Sequence, residues 1–158
     1  MTTAKKAAAV QQLEPRMDVV SAAIVRDGRI LMIQRAPKPG WPMLDYVFAT
    51  PGGRVEPGET HVDALAREIY EELGLLIDGL VKRYVYVSEL DPPLVSKPVR
   101  VTCYLVEWGQ ATHEPSALEG VVGFAWFHGP GLAALELAPA DAAGLRQLQA
   151  AVDESRVK

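Results

Sequence analysis

The chain has a single cysteine, Cys103, which rules out an intramolecular disulfide and any cysteine metal cluster. It lies in an apolar, strand-like run and reads as core rather than as a nucleophile. No apolar stretch approaches the roughly 18 residues that suggest a membrane-spanning helix. No basic block interrupts the net charge of −4, so a large nucleic-acid surface is not expected. A small phosphate ligand stays compatible with that balance, because a bound cation reverses the local field. Internal repeats are absent and nothing marks a second domain. The first residues lack the apolar core of a signal peptide. A cytoplasmic location without membrane association is therefore the default expectation. The Ala/Lys/Gln-rich residues 1–14 read as a flexible tail closed by Pro15, and residues 15–158 as one domain large enough to bury a sizeable core.

What is present concentrates in residues 53–75, GRVEPGETHVDALAREIYEELGL. Thr60 followed by Asp63 is a capping-box start, and Gly74 stands where a left-handed C-terminal cap is wanted. These signals predict a helix from about His61 to Leu73. Val62, Leu65, Ala66, Ile69 and Leu73 form one apolar stripe along it. Glu68, Glu71 and Glu72 cluster on another arc, because residues three and four apart are helix neighbours. Such a cluster opposes helix stability. The Glu68/Glu72 pair costs roughly 0.2–0.5 kcal/mol, and the carboxylates lie at the wrong end of the helix dipole. Two readings follow: a solvated acidic face, or a site for a cation that likes carboxylate oxygens and keeps waters, such as Mg²⁺ or Mn²⁺.

The preceding turn, Thr50-Pro51-Gly52-Gly53, is placed to bring a backbone carbonyl to the same cation. The whole stretch resembles the Nudix hydrolase signature, G-x5-E-x7-R-E-U-x-E-E-x-G-U, where U is bulky and apolar. The matching positions are Gly53, Glu59, Arg67, Glu68, Ile69, Glu71, Glu72, Gly74 and Leu75. The resemblance implies that Glu68, Glu71 and Glu72 hold Mg²⁺ or Mn²⁺, with the Gly52 carbonyl as a further ligand. It implies that Glu59 supports the metal directly or from behind, and that Arg67 orients a glutamate.

The rest of the chain is consistent with that resemblance. Met17–Val25 and Arg29–Gln34 read as strands about an Asp27-Gly28 hairpin turn. The run Ile30 to Ile33 suggests burial on both faces. Arg35 follows, where many Nudix proteins place a basic residue near the substrate phosphates; the alternative is a solvated strand end. Trp41, in the Pro/Gly-rich loop 37–45, reads as packing or as a base-stacking residue. Tyr46 to Ala49 reads as a short strand in which Tyr46 and Phe48 share a face, lining either a nucleoside pocket or the core. Leu80–Leu90 and Val99–Trp108 read as an antiparallel pair joined by an exposed Pro-rich loop. Its Pro92 and Pro93 lean slightly toward ADP-ribose-type substrates by a family rule.

His113, in the polar loop 109–116, reads as exposed. Glu119 precedes the strand-like run Val121–His128, which holds Trp126. By resemblance Glu119 is an extra metal ligand or the general base, with Glu114 as the fallback. A short helical piece is expected from Gly129 to about Leu137, and a last helix from Pro139. Leu137 to Asp141 resembles a stretch in Nudix enzymes that cleanse oxidised purine nucleotides, where the residue at the Asp141 position contacts the base. Asp141 is equally placed to cap the last helix.

This order of elements implies an α/β fold with a mixed sheet between helices, in agreement with the Nudix α/β/α sandwich. The function implied is metal-dependent hydrolysis of a diphosphate linkage in a nucleoside diphosphate derivative. A nucleoside triphosphate is favoured, oxidised purine forms included. ADP-ribose, nucleotide sugars and dinucleoside polyphosphates stay open, as does a nucleotide-sensing module that cleaves nothing. The partner is a small-molecule nucleotide. A homodimer is common in the family, but no stretch here marks an interface.

Overall fold

A computed structural model describes residues 15–109 and 114–156. Strands β1 (Met17–Arg26) and β2 (Arg29–Arg35) form the expected hairpin, yet they pair only next to the turn, Val25 with Ile30 and Arg26 with Arg29. Beyond that point they part, and the chain from residue 48 to residue 54 enters the fork. Strand β3 (Phe48–Ala49) pairs with β2, and β4 (Gly52–Arg54) pairs with β1, setting Val20 opposite Gly53 and Ser21 opposite Gly52. The Ala22 N–H donates to the Pro51 carbonyl at 2.8 Å. The Thr50–Gly53 turn is thereby built into the middle of the sheet.

Strand β5 (Val81–Leu90) runs antiparallel to β6 (Val99–Glu107), and β6 runs parallel to β1 from Met17 to Val25. Strand β7 (Val121–Phe127) is antiparallel to β2. Among the described residues the sheet is mixed and seven-stranded. Helix α1 (His61–Leu73) covers one face, packing on Val20, Ala22, Ile24, Leu31 and Ile33. Three C-terminal helices follow: α2 (Gly129–Leu132), α3 (Pro139–Ala143) and α4 (Leu145–Ser155). They cover the other face with Ala23, Val25, Ile30 and Met32. Successive residues of β1 and β2 point into opposite cores, which is why both strands are apolar without alternation. The expected α/β/α sandwich is the fold observed. No helix among the described residues is long and apolar enough to cross a membrane.

Several local expectations change. Pairing begins at Phe48, so Tyr46 lies outside the strand. Its φ is +60°, it is 67% exposed, and its carbonyl accepts from the Gln34 side chain at 3.0 Å. Phe48 turns inward and meets Phe127 edge-on at 5.2 Å. Val62 is exposed instead of joining the buried stripe, and Ala64 takes its place beside Leu65, Ile69 and Leu73. The piece starting at Gly129 ends as a helix at Leu132, and Leu137 then bridges to Phe48. The last helix is broken at Gly144, where a Cβ would lie 2.4 Å from the Tyr86 ring. Trp41 packs half-buried against the α4-side core, and Cys103 is fully buried. Burial pushes its thiol pKa up, away from reactivity. The 1–14 tail and His113 lie outside the described residues.

Candidate functional site

Helix α1 brings its carboxylates to the Thr50–Gly53 turn. Thr60 Oγ1 accepts from the Asp63 N–H at 3.1 Å, and Gly74 ends the helix at φ +70°. His61, the first helical residue, ties that end down. Its ring nitrogens lie 2.8 Å from the Tyr104 hydroxyl and 2.8 Å from an Asp18 oxygen. The opposite end is held by the segment leading to β7: the Ser116 and Leu118 N–H groups donate to the Leu73 and Glu72 carbonyls, each at 2.9 Å.

Glu72 faces inward and is 4% exposed. A buried carboxylate needs partners, and three reach it. The Gly52 N–H donates at 2.9 Å, and both terminal nitrogens of Arg35 donate to its oxygens. Arg35 also donates to the Gly52 carbonyl at 2.7 Å. One guanidinium therefore bridges Glu72 and the Gly52 carbonyl, two of the oxygen donors that the family resemblance offers to a metal. Burial raises the Glu72 pKa, Arg35 and the Gly52 N–H oppose that rise, and neighbouring Glu68 adds to it.

Glu68 lies against Gly53. A Cβ on Gly53 would fall 2.4 Å from its Cδ and 2.6 Å from each carboxylate oxygen, so the missing side chain is what lets this carboxylate reach the turn. Arg67 works from the outer side. It binds Glu59 through two 2.8 Å hydrogen bonds, Glu68 at 2.9 Å, the Arg54 carbonyl at 3.0 Å and, more loosely, Glu71 at 3.4 Å. This fork fastens the loop ahead of α1 to the helix and fixes Glu68 in place. Glu59 also accepts from the Glu56 N–H at 2.8 Å.

The Arg67 guanidinium, with help from the Glu56 N–H, pulls the Glu59 pKa down from 4.5 to about 2. A lowered carboxylate pKa gives stability that is fully present above the unfolded value and is lost as pH falls through the folded one. Glu59→Gln should therefore melt below wild type at neutral pH, and the gap should close between pH 4.5 and about 2. Thermal melts across that range check this. A gap that does not change with pH would show that the charge on Glu59 contributes nothing to folding.

Beneath the turn lies Asp141, for which the sequence offers a base contact or a helix cap and the structure shows neither. Asp141 is the third residue of α3, where Ala138 holds the cap position, and it is 2% exposed. Its Oδ2 accepts from the Thr50 N–H at 2.8 Å. Its Oδ1 accepts from the Thr50 hydroxyl at 2.8 Å and from the Tyr86 hydroxyl at 2.7 Å. Burial raises the Asp141 pKa, and these three donors oppose the rise.

The structure thus gathers Arg35, Gly52, Glu68 and Glu72 around one turn, with Arg67, Glu59 and Glu71 braced behind. Glu119 sits on the exposed turn just past Leu118, next to the C-terminal end of α1. Glu114 is exposed and paired with Arg26 at 3.0 Å. Tyr46 stands outside on the surface, and Phe48 and Asp141 are turned into the interior.

Among the described residues, no three His, Cys, Asp or Glu side chains already converge as a metal cage. The donor chemistry nevertheless fits a hard divalent ion. Carboxylate oxygens and a backbone carbonyl are the ligands such ions take, and the Gly52–Glu72 pair already binds a cationic side chain.

The NUDIX domain family matches residues 15–148. A CTP pyrophosphohydrolase of Escherichia coli (strain K12) is 46% identical over 69 residues, 44% of this chain and 47% of that protein. A putative 8-oxo-dGTP diphosphatase 2 of Mycobacterium tuberculosis (strain H37Rv) is 48% identical over 62 residues, 39% of this chain and 42% of that protein. Each match covers less than half the length of its curated relative. The crystal structure of a MutT NUDIX hydrolase from Burkholderia pseudomallei superposes with a TM-score of 0.69 at 29% identity, covering 85% of this chain and 98% of that one.

Proposed function

Because this chain belongs to the Nudix hydrolase family, we propose that it is a Mg²⁺- or Mn²⁺-dependent pyrophosphohydrolase of a nucleoside triphosphate. The observation that carries the reading is the placement of Glu68 and Glu72 against the Gly52–Gly53 turn, with Arg35 at the same point. Among the curated relatives, those named for CTP and for 8-oxo-dGTP favour a triphosphate, while one named an ADP-ribose pyrophosphatase keeps that substrate in the test.

Glu68, Glu71, Glu72 and the Gly52 carbonyl would hold the ion, and Glu59 backs them through Arg67. When bound, a divalent ion neutralises phosphate charge and lowers the pKa of water. Arg35, whose terminal nitrogens here hold Glu72 and the Gly52 carbonyl, carries a planar guanidinium of the kind that suits phosphate oxygens and would turn to them when an ion takes those two ligands. Arg67 keeps Glu68 aimed at the turn. Glu119 or Glu68 takes the proton from the attacking water. Tyr46, on the surface, is left to meet the nucleoside end.

The test is a panel of NTPs, 8-oxo-purine nucleotides, ADP-ribose, nucleotide sugars and diadenosine polyphosphates, each with Mg²⁺, with Mn²⁺ and with chelator. The expected result is a nucleoside monophosphate and pyrophosphate from a triphosphate, abolished by chelator. Turnover confined to ADP-ribose or a nucleotide sugar would overturn the substrate class. Tight binding with no turnover would replace the enzyme by a nucleotide sensor.

A further inference from the structure

We propose that Asp141 is a positioning residue that fixes the catalytic turn from beneath, and is not a contact to the nucleotide base. The proposal rests on reading the Thr50–Gly53 turn as the catalytic centre. With 2% exposure Asp141 offers no surface to a base. Both of its oxygens are engaged, and all their partners are donors from the protein's own interior.

The direction of those bonds matters. Thr50 is held at its backbone N–H and at its hydroxyl by the two oxygens of one carboxylate, so the orientation of the residue that begins the turn is fixed. Tyr86 on β5 holds the carboxylate in turn. Gly144 makes this possible: a side chain there would collide with the Tyr86 ring, its Cβ 2.4 Å from a ring carbon. Two residues beyond Thr50, Gly52 gives its N–H to Glu72 and its carbonyl to Arg35. Asp141 is thus linked to the acting groups by a short, covalently continuous segment. An error in Thr50 becomes an error in where the Gly52 carbonyl and the Glu72 carboxylate stand.

Three variants test this: Asp141→Ala, Asp141→Asn and Tyr86→Phe. An asparagine can keep the network, with its oxygen on the Thr50 N–H and its amide donating to the Thr50 and Tyr86 hydroxyls, which accept as well as donate. Asp141→Ala should lose about 10- to 100-fold in kcat, as supporting-residue variants do, with KM and the ranking of nucleotide bases nearly unchanged. Asp141→Asn should restore kcat to within about threefold of wild type, and Tyr86→Phe should fall between. Amide exchange read by NMR gives an independent measure. The Thr50 and Gly52 amides should exchange at least ~10-fold faster in Asp141→Ala, and near the wild-type rate in Asp141→Asn.

A changed base ranking with kcat retained would make Asp141 a base contact and overturn the proposal. An Asp141→Asn enzyme as slow as Asp141→Ala would overturn it as well, because charge would then be what matters. If Asp141→Ala does not fold, Asp141→Asn and Tyr86→Phe still decide on the same readings. If wild type turns over no nucleotide, the proposed function fails by that result alone, and the exchange rates still judge the anchor.

Discussion

Glu72→Gln is expected to lower turnover by about a thousandfold, the scale for losing a group that stabilises charge at the reacting centre. Glutamine keeps one acceptor oxygen for the Gly52 N–H. Its amide, however, turns two hydrogens toward Arg35, which already presents its own donors there. The negative charge that a divalent ion and Arg35 both need is gone. Folding should survive, because the Arg35 side chain is 26% exposed and can rehydrate; a stability loss of about 1–2 kcal/mol is the expected range. Steady-state kinetics and a thermal melt on the same preparation check both parts. More than a tenth of wild-type turnover would remove Glu72 from the centre. Glu71 is a useful contrast. Its side chain is 40% exposed and, among the described residues, its hydrogen bond is the long one from Arg67, so any large loss in Glu71→Gln would report on ion binding and not on packing.

The second large effect is on stability. Gly52→Ala should cost about 4 kcal/mol or more, placing it among the exceptional point mutations. Its Cβ would lie 2.0 Å from the Val20 carbonyl oxygen and 2.6 Å from the Ser21 Cα, both backbone atoms of β1. That backbone cannot yield, because β6 pairs with it on the other side along its length. The φ of +155° adds strain for any residue with a side chain. Gly53→Ala is the control. There the three atoms nearest the added methyl are the far end of the Glu68 side chain, not backbone, so the melt should fall far less than for Gly52→Ala while turnover falls. Denaturant unfolding of the two variants separates the cases, and equal stability of Gly52→Ala and wild type would mean that β4 does not lie this close to β1.

These two glycines are adjacent in the chain and differ in what faces them, which shows how far sequence alone carries. Helix α1 was legible almost to the residue, from Thr60 to Gly74, because caps and apolar spacing are local signals. The strands β1, β2, β5, β6 and β7 were legible from their apolar runs to within a residue or two. Strand β3 is the end of the expected strand Tyr46 to Ala49, whereas β4 is too short to carry a pattern; the fork that receives them is set by pairing with distant chain. The alternation of Tyr46 and Phe48 reads as one short strand, and a positive φ takes Tyr46 out of it. The glycine at the break, Gly144, is required by a ring on β5 that leaves no room for a side chain, which no helix rule can see. In the site, the carboxylate cluster was legible because helix neighbours are fixed by spacing. The bond of Arg35 to Glu72 and that of Asp141 to Thr50 were not, since each joins residues far apart in the chain.

The parallel pairing of β1 with β6 also bears on how the protein is made. Met17 pairs with Val99 and Val25 with Glu107, so the strand that supports the turn gains this neighbour only after most of the chain exists. Closing so long a loop is entropically costly and slow compared with forming α1. On the ribosome, a nascent chain stopping short of Val99 would already contain Gly53 through Leu75 and could form the helix. It would still lack half the support of the strand under the turn, and its exposed β1 edge would be open to wrong partners. Catalytic competence should therefore emerge late in synthesis, together with the sheet and not with the signature.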